Sequence, residues 1–249
     1  MILEIRKWYR SKRVFLLISI CSLMGVTAPL FTYYSKDILK SMGGYDASNI
    51  LLPDPTWISA TASYFKNVEQ IIVFVVIFVV AEACLLGKNE SLKLFYKTNA
   101  KTPSKIYTPK LIAGLLFSFL GLLVGDLINV YMVWALFDNK VQFGHLAGAL
   151  CVQMVVFLVL ITLGATLGIY TSSPFLSAVL IEGFLMVTGL LGGVEVFKNW
   201  SPTVLLSPVQ FLSKAVNLNH IWQPTLVGFI ILILCGISIK NKRISRQSN

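Results

Sequence analysis

The chain has 249 residues, of which 56% are hydrophobic and only 13% charged, and its mean hydropathy is +0.76. A soluble domain carries about a quarter charged residues, so this composition excludes one and points to an integral membrane protein. The net charge of +10 would suit a nucleic-acid binder, but the basic residues segregate by membrane side, which leaves no nucleic-acid partner and makes the lipid bilayer the main one.

A membrane helix needs about 20 apolar residues, because each backbone amide must be paired within its own segment. Six stretches meet this, at about 14–34, 68–86, 111–137, 145–170, 174–194 and 222–239, which predicts an all-α fold with a single transmembrane domain over 1–249. Ahead of the first span, MILEIRKWYRSK places Ile2, Ile5, Trp8 and Tyr9 at helical spacing, with Arg6, Lys7, Arg10 and Lys12 on other faces. This predicts either an amphipathic interfacial helix over 1–12 or an ordinary basic flank that orients the first span. The first apolar run is too long for a cleavable signal peptide, and no small-residue cleavage pattern follows it.

The next loop, 35–67, is polar, and Asp54 followed by Pro55 reads as an N-cap with proline at the first helical position. A helix is therefore expected to start near Thr56 and lead into the second span. Between the second and third spans lies a lysine-rich segment, 87–110, with an apolar strip at Leu92, Leu94, Phe95 and Tyr96 among Lys93, Lys97 and Lys101. Pro103 and Pro109 are expected to end its helical options. The segment reads as a docking helix for a partner's groove, against the plainer reading of a lysine-rich loop on anionic lipid. In the last loop Pro202 and Pro208 break the chain, yet Val204, Leu205, Leu206, Val209, Phe211 and Leu212 stay apolar, so it is expected to dip into the membrane or pack on the bundle.

If six spans alternate, fifteen basic residues fall on one side, in the N-terminal flank, the 87–110 segment and the C-terminal flank, and six on the other. The positive-inside bias then predicts a multi-pass protein of the cell membrane with both termini cytoplasmic. Cys21, Cys84, Cys151 and Cys235 each fall inside a span without metal-site or disulfide spacing and read as packing residues. Small residues four apart, Gly121/Gly125, Gly144/Gly148, Gly164/Gly168 and Gly189/Gly193, favour close helix packing and a possible subunit interface.

Three acids are placed within spans: Glu82, Asp126 and Glu182. An ionised carboxylate in mid-bilayer costs about 2.5–3.5 kcal/mol, so each must face water, be protonated or bond to a polar neighbour. Asp126 and Glu182 read either as polar points on a translocation path or relay, or as hydrogen-bonded acids that fix packing. Glu82 sits near a span end and suits a hinge or interface. His145 and His220 have no companions at metal-ligand spacing, and no GxSxG, HExxH or Walker loop is present. The chain is thus read as no enzyme, with no metal site.

Glu82, then NESLKLFYKT at 89–98, Pro103-Ser104-Lys105 and Lys110-Leu111-Ile112 stand in an order that resembles the permease subunit of type-2 ABC exporters. There a span ends in an acid and continues through a coupling helix and a proline-basic step into a lysine that opens the next span. The amphipathic start, six spans, long third span and proline-broken segment before the last span fit the same plan, over nearly the whole chain. The family's Gly-Thr pair is replaced here by Glu90-Ser91.

The resemblance implies a cytoplasmic coupling helix between spans 2 and 3, with Glu82, Glu90, Leu92, Leu94, Phe95, Lys97, Pro103 and Lys105 at the interface with an ATPase. It implies two copies of that separate ABC ATPase, which bind the ATP and Mg, and a second permease copy, as in a homodimer. The path would run between permeases, lined by the second and fifth spans, with Asp126 and Glu182 as its candidate residues. A hydrophobic or amphipathic cargo, such as a peptide, antibiotic or lipid, suits spans with few fixed charges. Two other readings stand beside it: an ion-coupled secondary transporter using Asp126 and Glu182, and a non-transporting immunity or scaffold membrane protein.

Overall fold

The computed structural model describes residues 2–43, 54–85, 103–137, 141–191, 194, 199–213 and 221–241. Among them there is helix and no strand. In chain order the helices are α1 (Ile2–Arg10), α2 (Arg13–Tyr33), α3 (Ser35–Gly43), α4 (Trp57–Asn67), α5 (Val73–Cys84), α6 (Ser104–Phe137), α7 (Phe143–Thr171), α8 (Pro174–Leu190), α9 (Gln210–Ser213) and α10 (Trp222–Asn241). A π-helical turn, Val68–Ile72, joins α4 to α5 without a break.

Among the described residues five helices are long and apolar enough to cross a membrane: α2, the continuous Trp57–Cys84, α6, α7 and α10. The shorter apolar α8 has 17 residues. Their outer faces carry Phe15, Leu23, Leu127, Phe184, Met186, Phe229 and Ile237, all exposed. A helix in water would turn polar residues outward, whereas these are apolar on both sides, as a bilayer requires. The chain is an integral membrane protein.

Helix α1 is the amphipathic segment read from the sequence. Its Trp8 is buried and stacks on Phe117 of α6 with ring centroids 5.4 Å apart, while Tyr9 meets the same ring edge-on at 5.5 Å. Lys12, in the left-handed region at φ 56°, turns the chain from α1 into α2.

Close approach of backbones sets the bundle. A Cβ on Gly25 of α2 would lie 2.6 Å from the Gly125 carbonyl oxygen of α6, and one on Gly125 would lie 2.9 Å from the Cys21 carbonyl oxygen. On the other side, Gly164 and Gly168 of α7 lie against Ile77 and Ala81 of α5. Matching steps in the same direction make α5 and α7 parallel. The tight turn at Ser172–Ser173 then reverses the chain, so α8 runs antiparallel to α5. Ser172 takes a left-handed φ of 56°, and the Ser173 hydroxyl caps α8 by accepting from the Leu176 amide, with Pro174 in the first turn.

The structure moves three sequence-based boundaries. The helix entering the second span is capped by Thr56, which shares a reciprocal capping box with Ser59, and not by Asp54. Asp54 instead accepts a hydrogen bond from Lys36 Nζ of α3. That bond, with the lysine charge, holds the exposed Asp54 carboxyl below the usual carboxylate range. The bridge therefore contributes at neutral pH and is lost as pH falls through that lowered value. Helix α6 starts at Ser104, directly after Pro103, and runs through Pro109, which was expected to interrupt it. Burial of Ile106, Tyr107 and Lys110 against the bundle sustains this first stretch despite the missing amide. The fifth apolar helix ends at Leu190, short of the expected 194.

The proline-broken segment packs on the bundle as its apolar content required. A 3-10 turn, Pro202–Leu205, and α9 bury Leu205, Leu206, Phe211 and Leu212 against α7, α8 and α10.

Candidate functional site

Three polar sites lie along the bundle, and the first is built around Asp126. Tyr64 of α4 and Asp126 of α6 are both buried, and the tyrosine hydroxyl donates to Asp126 Oδ1 at 2.7 Å. The small face of α6 makes this possible, since Gly125 brings α2 close and leaves room for the phenol: its would-be Cβ lies 3.0 Å from Tyr64 Oη. Cys21 of α2 is buried beside the pair. One helical turn further along α6, Asn129 is fully buried, and on α7 so is Gln153. Among the described residues Asp126 Oδ2 and both side-chain polar atoms of Asn129 and of Gln153 have no hydrogen-bond partner.

The second site holds two carboxylates. Glu69 stands on the π-helical turn and Glu182 near the middle of α8, each partly buried. Phe74 of α5 meets Phe175 of α8 edge-on at 6.2 Å, and one to two turns from that contact along antiparallel helices brings Glu69 and Glu182 to similar height. Glu182 Oε2 is buried without a hydrogen-bond partner among the described residues. A π-turn shifts a helix face by inserting a residue, and such turns recur at functional sites.

The third site is a charged collar at the end of the bundle that carries α1. Arg13 at the start of α2 bridges Glu82 near the end of α5, with 3.2 Å between Nη2 and Oε2. Lys110 of α6 donates from Nζ to the Leu85 carbonyl oxygen at 2.9 Å, capping the end of α5. Glu82 thus ties the second apolar helix to the first.

Of the residues assigned to the coupling interface, Pro103 is half-buried in the turn before α6 and Lys105 is exposed on its first turn. Glu90, Leu92, Leu94, Phe95 and Lys97 lie outside the described residues. The two path candidates lie on different elements: Asp126 of α6 bonds to Tyr64 of α4 inside the bundle, and Glu182 lies on α8. Sequence reading missed Glu69, Tyr64, Asn129 and Gln153. Signals were available, because Glu69 is an acid within the 68–86 span, and Asn129 and Gln153 are uncharged polar residues in otherwise apolar runs. Among the described residues no group of three His, Cys, Asp or Glu is placed to hold a metal ion.

No protein-family model matches the chain, and no curated protein and no solved structure is similar to it.

Proposed function

We propose that the chain is the permease subunit of a type-2 ABC exporter, a homodimer served by two copies of a separate ATPase that binds the ATP and Mg. It moves a hydrophobic or amphipathic molecule across the cell membrane. The observation that carries the reading is the docking of α1 through Trp8 onto α6, beside the collar of Arg13, Glu82 and Lys110. An amphipathic helix locked to the third apolar helix can pass movement at the membrane surface into the bundle.

In this reading α8 is the sixth crossing. Its 17 residues reach roughly 25 Å at about 1.5 Å per residue, close to a hydrocarbon core of about 30 Å. The basic termini and the 87–110 segment lie in the cytoplasm, and that segment is the coupling helix. The path lies along α5 and α8, where Glu69 and Glu182 supply its polar point.

Co-purification of the full chain recovers an ATPase subunit, and the double substitution Leu94→Asp and Phe95→Asp uncouples ATP hydrolysis from export in reconstituted vesicles. Transport that proceeds in vesicles without any ATPase would overturn the reading.

Two partly buried carboxylates at similar height, Glu69 and Glu182, favour one alternative, an ion-coupled carrier. It requires transport that collapses with an ionophore and persists without ATP. Insensitivity to ionophores removes it.

A further inference from the structure

Helix α1 has two unlike sides. Trp8, 1% exposed, is its buried side chain, and its ring lies on Phe117 and 3.5 Å from where a Cβ on Gly114 would stand. Half a turn away, at about 3.6 residues per turn, the opposite side holds Arg6 and Arg10, flanked by Ile2 and Leu3. All four are exposed, Ile2 at 70% and Leu3 at 80%. The one acid of α1, Glu4, falls on the Trp8 side. Among the described residues neither Arg6 nor Arg10 forms an ion pair.

Position and charge together say what covers this side. The turn at Lys12 joins α1 to the start of α2, the first helix able to cross the membrane, so α1 lies where hydrocarbon gives way to headgroups. Exposed Ile2 and Leu3 are costly in water, and two guanidinium groups are costlier in hydrocarbon. The interface satisfies both, with the apolar side chains toward the acyl carbons and the arginines toward the phosphates.

Arg6 and Arg10 are four residues apart, so their Cβ atoms stand about 5–6 Å from each other and both planar forks can reach one phosphate diester. The choice between lipids follows from net charge. A choline headgroup carries its own ammonium, which repels the arginines, whereas an anionic headgroup leaves its phosphate charge uncompensated. With Trp8 engaged by α6, only Ile2, Leu3 and Tyr9 are left as large exposed apolar side chains on α1, so charge supplies most of the attraction.

We propose that Arg6 and Arg10, with Ile2 and Leu3 beside them, form a binding surface for an anionic phospholipid. Lys7 and Lys12, both exposed, add to its positive field. The stacking of Trp8 on Phe117 holds the surface in place before lipid arrives, which removes the cost of ordering a free helix. The surface is independent of the exporter reading, since it needs neither an ATPase nor a second copy.

The test is lipid binding to the full chain purified in a neutral detergent. Native mass spectrometry reads the apparent affinities for phosphatidylglycerol and for phosphatidylcholine with identical acyl chains. Phosphatidylglycerol binds the unsubstituted chain more tightly. Arg6→Gln combined with Arg10→Gln weakens binding of the first phosphatidylglycerol by about tenfold or more, because each basic residue near a lipid surface contributes several-fold. Binding of phosphatidylcholine stays unchanged, and so does the melting temperature in lipid-free micelles, as both arginines are exposed and outside any ion pair among the described residues.

Equal affinity of the unsubstituted chain for the two lipids overturns the proposal, as does undiminished phosphatidylglycerol binding in the doubly substituted chain. Displacement of the lipid by inorganic phosphate at constant ionic strength would make this a free-phosphate site and overturn it too. The comparison of lipids on the unsubstituted chain decides even where a variant fails to fold.

Discussion

Tyr64 shows how much one hydroxyl can hold in an apolar bundle. Its bond to Asp126 is the sole hydrogen bond on that carboxylate among the described residues, and it links the second apolar helix to the third. Tyr64→Phe removes the donor while keeping the ring that fills the space beside Gly125. The cost is expected at about 1–2 kcal/mol, above the average interhelical bond in membranes because a buried carboxylate oxygen is left bare. Reversible unfolding in mixed micelles measures it, and an unchanged stability would mean that the bond carries no net weight. Asp126 was legible in the sequence as a costly acid, but its partner was not. A tyrosine near the end of a polar loop reads as an interfacial residue until folding turns it inward.

At the scale of elements, packing is decided by where glycine backbones meet. Four glycine pairs are visible in the sequence. Gly121, Gly125, Gly164 and Gly168 lie against neighbouring helices, whereas Gly144 and Gly189 face open space. Periodicity cannot separate these cases, because the spacing is identical and only the neighbour differs. Gly25 was in no pair, yet it makes the tightest backbone approach, on the Gly125 carbonyl oxygen. Gly25→Ala is therefore expected to destabilise the bundle by about 1–3 kcal/mol, since neither backbone can move aside cheaply. Gly189→Ala leaves stability within about 0.5 kcal/mol. The pair of variants is read side by side by thermal unfolding, and equal losses would contradict the assigned helix contacts. The same lesson applies to Pro109. Its local rule predicts a break, and burial of Ile106 and Tyr107 overrides it.

For the whole molecule, under the proposed exporter reading, the question is which polar groups serve transport and which serve packing. Two of the acids singled out in the sequence sit on different elements: Asp126 is buried within the bundle, and Glu182 lies partly buried on α8, at a height similar to that of Glu69 on the π-turn. On the proposed exporter reading, Glu69→Gln and Glu182→Gln are each expected to lower export by about tenfold, equivalent to about 1.4 kcal/mol, with little change in melting temperature. Vesicle transport and unfolding of the same preparations check this, and a parallel loss of both would mark the pair as structural. The sequence by itself determined the membrane class, the apolar helices, the amphipathic start and the proline-broken segment that packs on the bundle. These follow from composition and periodicity, which act within a few turns of chain. Only the tertiary structure decided that Trp8 docks on Phe117, that Arg13 holds Glu82, and that Tyr64 donates to Asp126. Those pairings join residues far apart in the chain, and their energies depend on distances that no local pattern encodes.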